Sequence, residues 1–193
     1  DSVWLSNSGD YERFQVKFAA VITPDAAISV TLAQGQVNKI VWATPTTEGL
    51  ILGTSSSEFL LGPAQTTTAL APDNVKAVRV SDYGSRAVQP HRGGPGVTFF
   101  VQSAGRKVRN LGGSQDGDQV GSDLSVRADH ITRKYPIIDM AYTQEPNPIL
   151  WVVRQDGRLA SFTFEREQSV FGWATHPLGG YSDSGQTAEP VVE

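Results

Sequence analysis

Short runs of apolar residues separated by polar turns recur along the whole chain. Val, Ile, Thr and aromatic residues gather in the runs, while Gly, Pro, Asn, Asp and Ser fill the gaps. This pattern is typical of β-strands joined by turns, and it predicts an all-β fold. The predicted strands are 27–32, 37–43, 50–53, 58–61, 77–81, 97–102, 107–111, 137–142, 149–154, 158–164 and 172–177.

Helix signals are scarce. The best candidate is "SDLSVRADHIT", residues 122–132, where Ser122 or Asp123 would cap a turn or two that carry apolar residues. A second short turn is expected around residues 72–74, where Pro and Asn interrupt the strand pattern. We therefore expect little helix overall.

Three segments repeat one pattern, which is a buried-looking strand, a short polar turn and a second strand. They are "LILGTSSSEFLLG" (50–62), "VTFFVQSAGRKVRN" (97–110) and "ILWVVRQDGRLASF" (149–162), and their starts are 47 and 52 residues apart. A spacing near 50 residues with several strands per unit is typical of propeller blades, in which small antiparallel sheets stack around an axis. The runs "VTFFV" and "ILWVV" lack polar alternation, which indicates strands covered on both faces.

We therefore predict a single β-rich domain, 1–193, of propeller-like repeats, with about three incomplete units near residues 27–80, 81–136 and 137–180. A β-sandwich is the alternative architecture, since it also has short strands at even spacing. Residues 181–193 are interpreted as a polar linker and the start of a next strand. Because a closed propeller has about four to eight blades, we expect this chain to be a fragment of a longer one.

Composition narrows the chemistry. The chain has 193 residues with 39% hydrophobic and 19% charged residues, which predicts a globular core. Its 20 acidic and 16 basic residues give a net charge of −4, which argues against a broad cationic surface for nucleic acid. There is no cysteine, so disulfides, thiolate zinc sites and cysteine nucleophiles are excluded. No apolar stretch approaches the roughly 20 residues that span a bilayer, so no membrane partner is expected.

The polar residues most able to bind metals are scattered. His91, His130 and His176 lie in different segments without a partner at metal-ligand spacing, which favours structural or surface roles. A Gly-rich loop carries several aspartates whose oxygens could bind calcium, but its spacing departs from the EF-hand pattern. A polar loop is therefore the favoured interpretation. The aspartates are Asp116, Asp118 and Asp123.

A pair of glutamates gives the only local pattern with catalytic potential. If "FEREQ", residues 164–168, is extended, Glu165 and Glu167 lie on one strand face and Arg166 on the other. Paired carboxylates can hydrolyse glycosides, but a solvated hairpin end is the favoured interpretation. Phosphate-loop, nucleophile-elbow and zinc-protease motifs are missing from the sequence. We predict no catalytic, cofactor-binding or metal-binding residues.

Basic residues gather in the middle third of the chain, close to aromatic residues. Tyr83, Phe99 and Phe100 beside these charges are compatible with a nucleic-acid surface. Core positions for the aromatics and a solvated face for the charges are favoured instead, although the charges could also line a passage for a polyanion. The basic residues are Arg79, Arg86, His91, Arg92, Arg106, Lys107 and Arg109.

Two long segments resemble a known family in order and spacing. They are "YGS" (83–85) with "VQP" (88–90) and "VTFFVQSAGRKVRNL" (97–111), and "EPNPILWVVRQDGRLASFTFEREQSVFGW" (145–173). They are similar to virion proteins of tailed phages and prophages, described as tail, nozzle-like or DNA-stabilisation proteins of short-tailed phages. The likeness runs from Val3 to Gly180, and "VWLSNSGDYERF" (3–14) resembles an interior segment of the family. We expect Trp4, Tyr11 and Phe14 in it to be packing residues.

The resemblance implies a non-enzymatic structural component of the virion tail, made in the bacterial host cytoplasm and located in the virion. Its implied partners are other copies of itself, in a homo-oligomer, and neighbouring tail proteins. It would line or extend the conduit for DNA exit and make passing contact with genomic DNA. The family offers no catalytic residues to carry over, and no cofactor is expected. Two alternatives stay open, a propeller glycosidase or depolymerase acting on surface sugars and a generic propeller interaction module.

Overall fold

The described part of the chain is built almost entirely of β-strands. The computed structural model describes residues 2–14, 23–32, 38–65, 68–94, 96–112 and 121–177, and within them the all-β prediction is confirmed. The elements are β1 (Ser2–Leu5), β2 (Ile28–Thr31), β3 (Ile40–Pro45), β4 (Leu50–Thr54), β5 (Glu58–Gly62), β6 (Lys76–Ser81), β7 (His91–Arg92), β8 (Thr98–Val101), β9 (Val108–Leu111), β10 (Ser122–Asp123), α1 (Asp129–Thr132), β11 (Ile137–Thr143), β12 (Ile149–Arg154), β13 (Leu159–Glu165) and β14 (Val170–His176).

The strands form one two-stranded sheet and three four-stranded sheets, all antiparallel. β1 pairs with β2, and the larger sheets are β3–β6, β7–β10 and β11–β14, each with its strands in chain order. Four-stranded meanders of this kind are the form of propeller blades. The described strands therefore fit an incomplete propeller-like or sandwich-like fold.

The predicted strands match observed strands closely, but the predicted helix is largely wrong. Residues 122–123 form β10 instead of a helix start, because Ser122 and Asp123 pair with Asn110 and Arg109 of β9. Only Asp129–Thr132 is helical. β1, β7 and β10 were missed as separate strands, and the last two are only two residues long.

The chain divides into two compact units, Asp1–Asp82 and Tyr83–Glu193. In the first unit, the β1–β2 ribbon covers one face of the β3–β6 sheet through a mainly aliphatic cluster. The buried members of this cluster are Leu32, Leu52, Phe59 and Leu61, joined by Val3, Leu5 and Val30 from the ribbon. The single-domain assignment and its three repeat boundaries stay predictions, and residues 181–193 lie outside the described residues.

A tight fit on β3 and β4 completes the first unit. Trp42 and Gly53 are cross-strand partners, and the indole of Trp42 lies directly over Gly53. A Cβ atom added at Gly53 would lie 2.1 Å from the indole ring. Trp42 is 6% exposed, so glycine here makes room for a large buried side chain.

In the second unit, the β7–β10 and β11–β14 sheets pack face to face. Phe99 is fully buried between them, with its ring centroid 5.0 Å from that of Phe164 in an edge-to-face arrangement and 5.8 Å from that of Tyr142. Edge-to-face rings add to the stabilisation that apolar burial provides. The buried cluster is Val88, Val97, Phe99, Val101, Val108, Ile137, Met140, Leu150, Val152, Phe162 and Phe164.

Hydrogen bonds tie these two sheets together at their margins. His91 of β7 places Nε2 2.8 Å from the carbonyl oxygen of Met140 on β11. At the far side, the indole nitrogen of Trp173 on β14 donates to the carbonyl oxygen of Leu124 at 2.9 Å. The amide of Ile137 also donates to the carbonyl oxygen of Gly105 at 2.7 Å. The second unit therefore has one apolar layer closed by polar contacts.

The expected packing role of the early aromatic residues is not what the structure shows. Trp4, Tyr11 and Phe14 are 55%, 83% and 49% exposed. Strand alternation explains Trp4, because Val3 and Leu5 on either side of it face the core of the first unit.

Within the described residues, no helix is long and apolar enough to cross a membrane.

Candidate functional site

The basic residues singled out in the sequence are divided between the two units. Arg79 lies on β6 in the first unit, where it pairs with Asp82, and the other six members lie in the second unit. Lys107 Nζ lies 2.6 Å from a carboxylate oxygen of Asp123. Arg92 and Arg106 are exposed. Part of the basic charge is therefore already neutralised inside the chain.

Arg109 is a buried cation held by neutral groups. Its side chain is 9% exposed, and its guanidinium carbon lies 3.5 Å from the centroid of the Tyr83 ring. Nε donates to Gln102 Oε1 at 2.9 Å, and Nη1 donates to the carbonyl oxygen of Gly121 at 2.7 Å. A guanidinium that is buried, stacked on a ring and hydrogen-bonded through two of its nitrogens contributes to packing. Phe99 and Phe100 are fully buried, so they belong to the core.

The three histidines stay apart. His91 bonds the backbone of β11, as described above, and His130 lies exposed on α1. His176 Nε2 lies 2.7 Å from Ser161 Oγ, and its ring centroid is 5.3 Å from that of Trp151. Within the described ranges, no group of three or more His, Asp or Glu side chains is arranged to hold a metal ion.

Ser161 and His176 form a contact that the sequence did not predict, because it joins adjacent strands across the register of β13 and β14. A serine and a histidine at hydrogen-bond distance are two of the three side chains that a nucleophilic triad requires. Catalysis also needs a group that orients the second imidazole nitrogen, and in the described part of the chain no acid hydrogen-bonds to His176. Trp151 beside them donates to Thr143 Oγ1 at 3.0 Å. The contact between Ser161 and His176 is a side-chain hydrogen bond that joins β13 and β14.

Of the three aspartates considered as calcium ligands, the structure describes only Asp123. Asp116 and Asp118 lie outside the described residues. Asp123 uses one carboxylate oxygen to bind Lys107 and the other to accept a hydrogen bond from the Ser125 amide at 2.9 Å. Both oxygens of Asp123 are therefore engaged in local structure.

Glu165 and Glu167 are not on one strand face. β13 ends at Glu165, and Glu167 lies exposed in the turn that leads into β14. The segment "FEREQ" runs into the exposed end of the β13–β14 hairpin, which is the interpretation favoured from the sequence. The extended alternative does not form, because the chain reverses there and the amide of Ser169 donates to the carbonyl oxygen of Arg166. Burial raises the pKa of the Tyr142 phenol above its ordinary value, and the negative charge of Glu165 raises it further.

A groove in the first unit has a volume of about 640 Å³. One wall is a loop organised by the Asn74 side chain. Asn74 Oδ1 accepts from the Gln65 amide at 2.9 Å, and Nδ2 donates to Thr68 Oγ1 at 2.7 Å and to the carbonyl oxygen of Ala69 at 3.0 Å. The Asn74 side chain is thus occupied in shaping the loop.

β14 is the most exposed of the strands described in the second unit. It pairs with β13 over all seven of its residues without a register shift, and it is the last strand of its sheet. Val170 and Phe171 are 47% and 54% exposed. The strand reads "VFGWATH", with no Asp, Glu, Lys, Arg or Pro. Within the described residues, its outer edge is therefore an unpaired and uncharged strand edge.

No protein-family model matches the chain, and no curated protein shows significant similarity to it.

Proposed function

We propose that the chain is a non-enzymatic structural component of a phage or prophage virion tail. It acts through self-assembly and contacts with neighbouring tail proteins. The observation that carries this proposal is the second unit, in which two four-stranded sheets pack on a shared buried apolar layer that includes three phenylalanines. Such a unit is rigid, and a rigid component suits a particle that must stay closed under mechanical force. The resemblance to tail and nozzle-like proteins supplies the biological setting.

The charge distribution supports a place along the DNA exit conduit. Affinity for DNA rises with each cation that reaches a phosphate. Here Arg109 is buried under Tyr83, and Lys107 is paired with Asp123. A wall of this kind lets DNA pass with brief contact instead of holding it, which agrees with the net charge of −4.

The proposal is tested in the phage or prophage that encodes the chain. Mass spectrometry of purified particles should find the chain in a fixed ratio to the other tail proteins. Deletion of its coding segment should give particles that lack a complete tail or that lose packaged DNA. A chain absent from purified particles, or particles that are unaffected by the deletion, would overturn the proposal.

A depolymerase is the alternative that mutagenesis separates most directly. The double variant Glu165→Gln, Glu167→Gln removes both carboxylates of the only candidate pair while keeping their size. Under the structural proposal, particles with this variant assemble and infect normally, whereas Leu150→Asp, which places a charge in the buried layer, blocks assembly. Particles that assemble with the double variant but no longer infect would support the enzyme instead.

A further inference from the structure

The edge strands of the described four-stranded sheets differ in how they are protected from pairing with other chains. β7 and β10 are two residues long, and β3 and β11 each contain a register shift. β6 pairs across a register shift in the ladder with β5, and it carries Lys76 and Arg79 at exposed positions. Short length, bulges and charges are the devices by which proteins prevent edge-to-edge association.

β14 has none of these devices. It is seven residues long, its ladder with β13 is regular, and it contains no Asp, Glu, Lys or Arg. The exposed side chains of Val170 and Phe171 add apolar area beside the open backbone edge. Within the described residues, no strand pairs with this outer edge. An edge with these properties is a template for an added strand.

We propose that the outer edge of β14 pairs in antiparallel fashion with β14 of a second copy of this chain. Pairing centred on Trp173 keeps all seven residues in register, and it places Gly172 opposite Ala174 and Phe171 opposite Thr175. No like charges meet across this pairing, because the strand has no Asp, Glu, Lys or Arg. An antiparallel contact between identical strands closes as a twofold dimer. The inference concerns the strand edge alone and does not depend on the proposed role in a tail.

Gly172 offers a clean test of the edge. A Cβ atom added there meets nothing within 4 Å, so both a charged and an uncharged side chain fit the folded unit. Gly172→Lys places a cation on each copy near the twofold axis, and Gly172→Thr adds a strand-favouring residue of no charge. Sedimentation equilibrium over a range of concentrations should show a dimer for the unmodified chain. We expect Gly172→Lys to raise the dissociation constant about tenfold or more and Gly172→Thr to leave it equal or lower.

The register has its own test because the chain contains no cysteine. The double variant Gly172→Cys, Ala174→Cys carries the only thiols and faces them across the proposed pairing. Mild oxidation should give a disulfide-linked dimer in high yield, and the single variant Gly172→Cys should give much less. Failure of the double variant to cross-link would overturn the antiparallel register and with it the proposal.

The remaining outcomes are also decisive. A monomer at every concentration would overturn the second copy as occupant and leave the edge to a strand of a different chain. A dimer that Gly172→Lys does not weaken would place the interface elsewhere. Equal weakening by Lys and Thr would indicate steric damage and not loss of edge pairing. Denaturation curves of both variants confirm that the unit is folded in each measurement.

Discussion

The β3–β6 sheet of the first unit and the β11–β14 sheet of the second share one plan. Both are four-stranded meanders, and both have a register shift in the first strand, between Ile40 and Trp42 and between Ile137 and Asp139. The last strands of the two sheets differ. β6 carries charged residues and pairs with β5 across a register shift, whereas β14 has no Asp, Glu, Lys or Arg and pairs with β13 without a shift. The two sheets therefore share one strand arrangement. They differ in whether the last strand carries features that prevent pairing with another chain.

The buried faces of the two sheets also differ. The first sheet buries mainly aliphatic residues, and the indole of its Trp42 packs over Gly53. In both sheets this position is the first cross-strand pair after the register shift. In the second sheet, that pair is Asp139 and Val153. The second sheet also buries mainly aliphatic residues, but its cluster adds Phe99 and Phe164 packed edge to face between two sheets. A meander thus tolerates different core residues as long as apolar positions alternate correctly along each strand.

The largest expected effect is at the aromatic layer of the second unit. Phe99→Ala removes a fully buried ring that contacts Tyr142 and Phe164, and it should lower the free energy of unfolding by about 3–5 kcal/mol. Phe171→Ala is the matched control, because Phe171 also contacts Phe164 but is 54% exposed. We expect it to cost less than about 1 kcal/mol. Urea denaturation measures both, and equal losses would contradict the sandwiched layer.

Two strand glycines sharpen the comparison next. Gly53→Ala forces a Cβ atom against the Trp42 indole, and it should destabilise the first unit by about 1–3 kcal/mol. Gly172→Ala in β14 meets open space and should instead be neutral or stabilising by up to about 1 kcal/mol, because alanine reduces the freedom of the unfolded chain. Thermal or urea denaturation gives both values. A neutral Gly53→Ala would show that Trp42 moves aside without cost.

Two ion pairs provide a smaller contrast. Asp156 and Arg154 have side chains 16% and 9% exposed, whereas Asp82 and Arg79 are 66% and 56% exposed. Asp156→Ala leaves a buried guanidinium without its carboxylate and should cost about 1–3 kcal/mol. Asp82→Ala should cost less than about 1 kcal/mol, and this loss should shrink further in high salt. Denaturation curves at low and high salt test the pair, and similar losses at both sites would contradict the difference in burial.

The sequence predicted the strands well because each strand carries its own signal of apolar runs bounded by turn residues. β12, for example, lies at residues 149–154 as expected. The helix near residue 122 was misassigned because Ser122 and Asp123 satisfy their polar groups by pairing with β9, which is distant in sequence. Short strands such as β7 have no periodicity to detect.

The contacts at the candidate site were out of reach for a related reason. Ser161 meets His176 through strand register, and Arg109 meets Tyr83 through the packing of a loop on β9. Neither contact leaves a local motif in the sequence. The edge of β14 was visible as an uncharged segment, but only the sheet order shows that it is the outer strand.

The smallest expected effect is the alkaline response of Tyr142. Burial and, to a lesser extent, the charge of Glu165 raise the pKa of this phenol above its ordinary value of 10.0. The unfolded chain therefore loses the phenol proton first as pH rises, so the stabilising contribution is complete below pH 10.0 and is lost towards the pKa of the folded state. Tyr142→Phe should remove this part of the decline in stability above pH 10.0, as measured by denaturation curves over a series of alkaline pH values.

One variant separates the two causes of that shift. Glu165→Gln removes the charge but not the burial, so an ultraviolet titration should place the pKa of Tyr142 lower than in the unmodified chain yet still above 10.0. A return to the ordinary value would show that the carboxylate, and not the packing of Tyr142 against Phe99, sets the pKa.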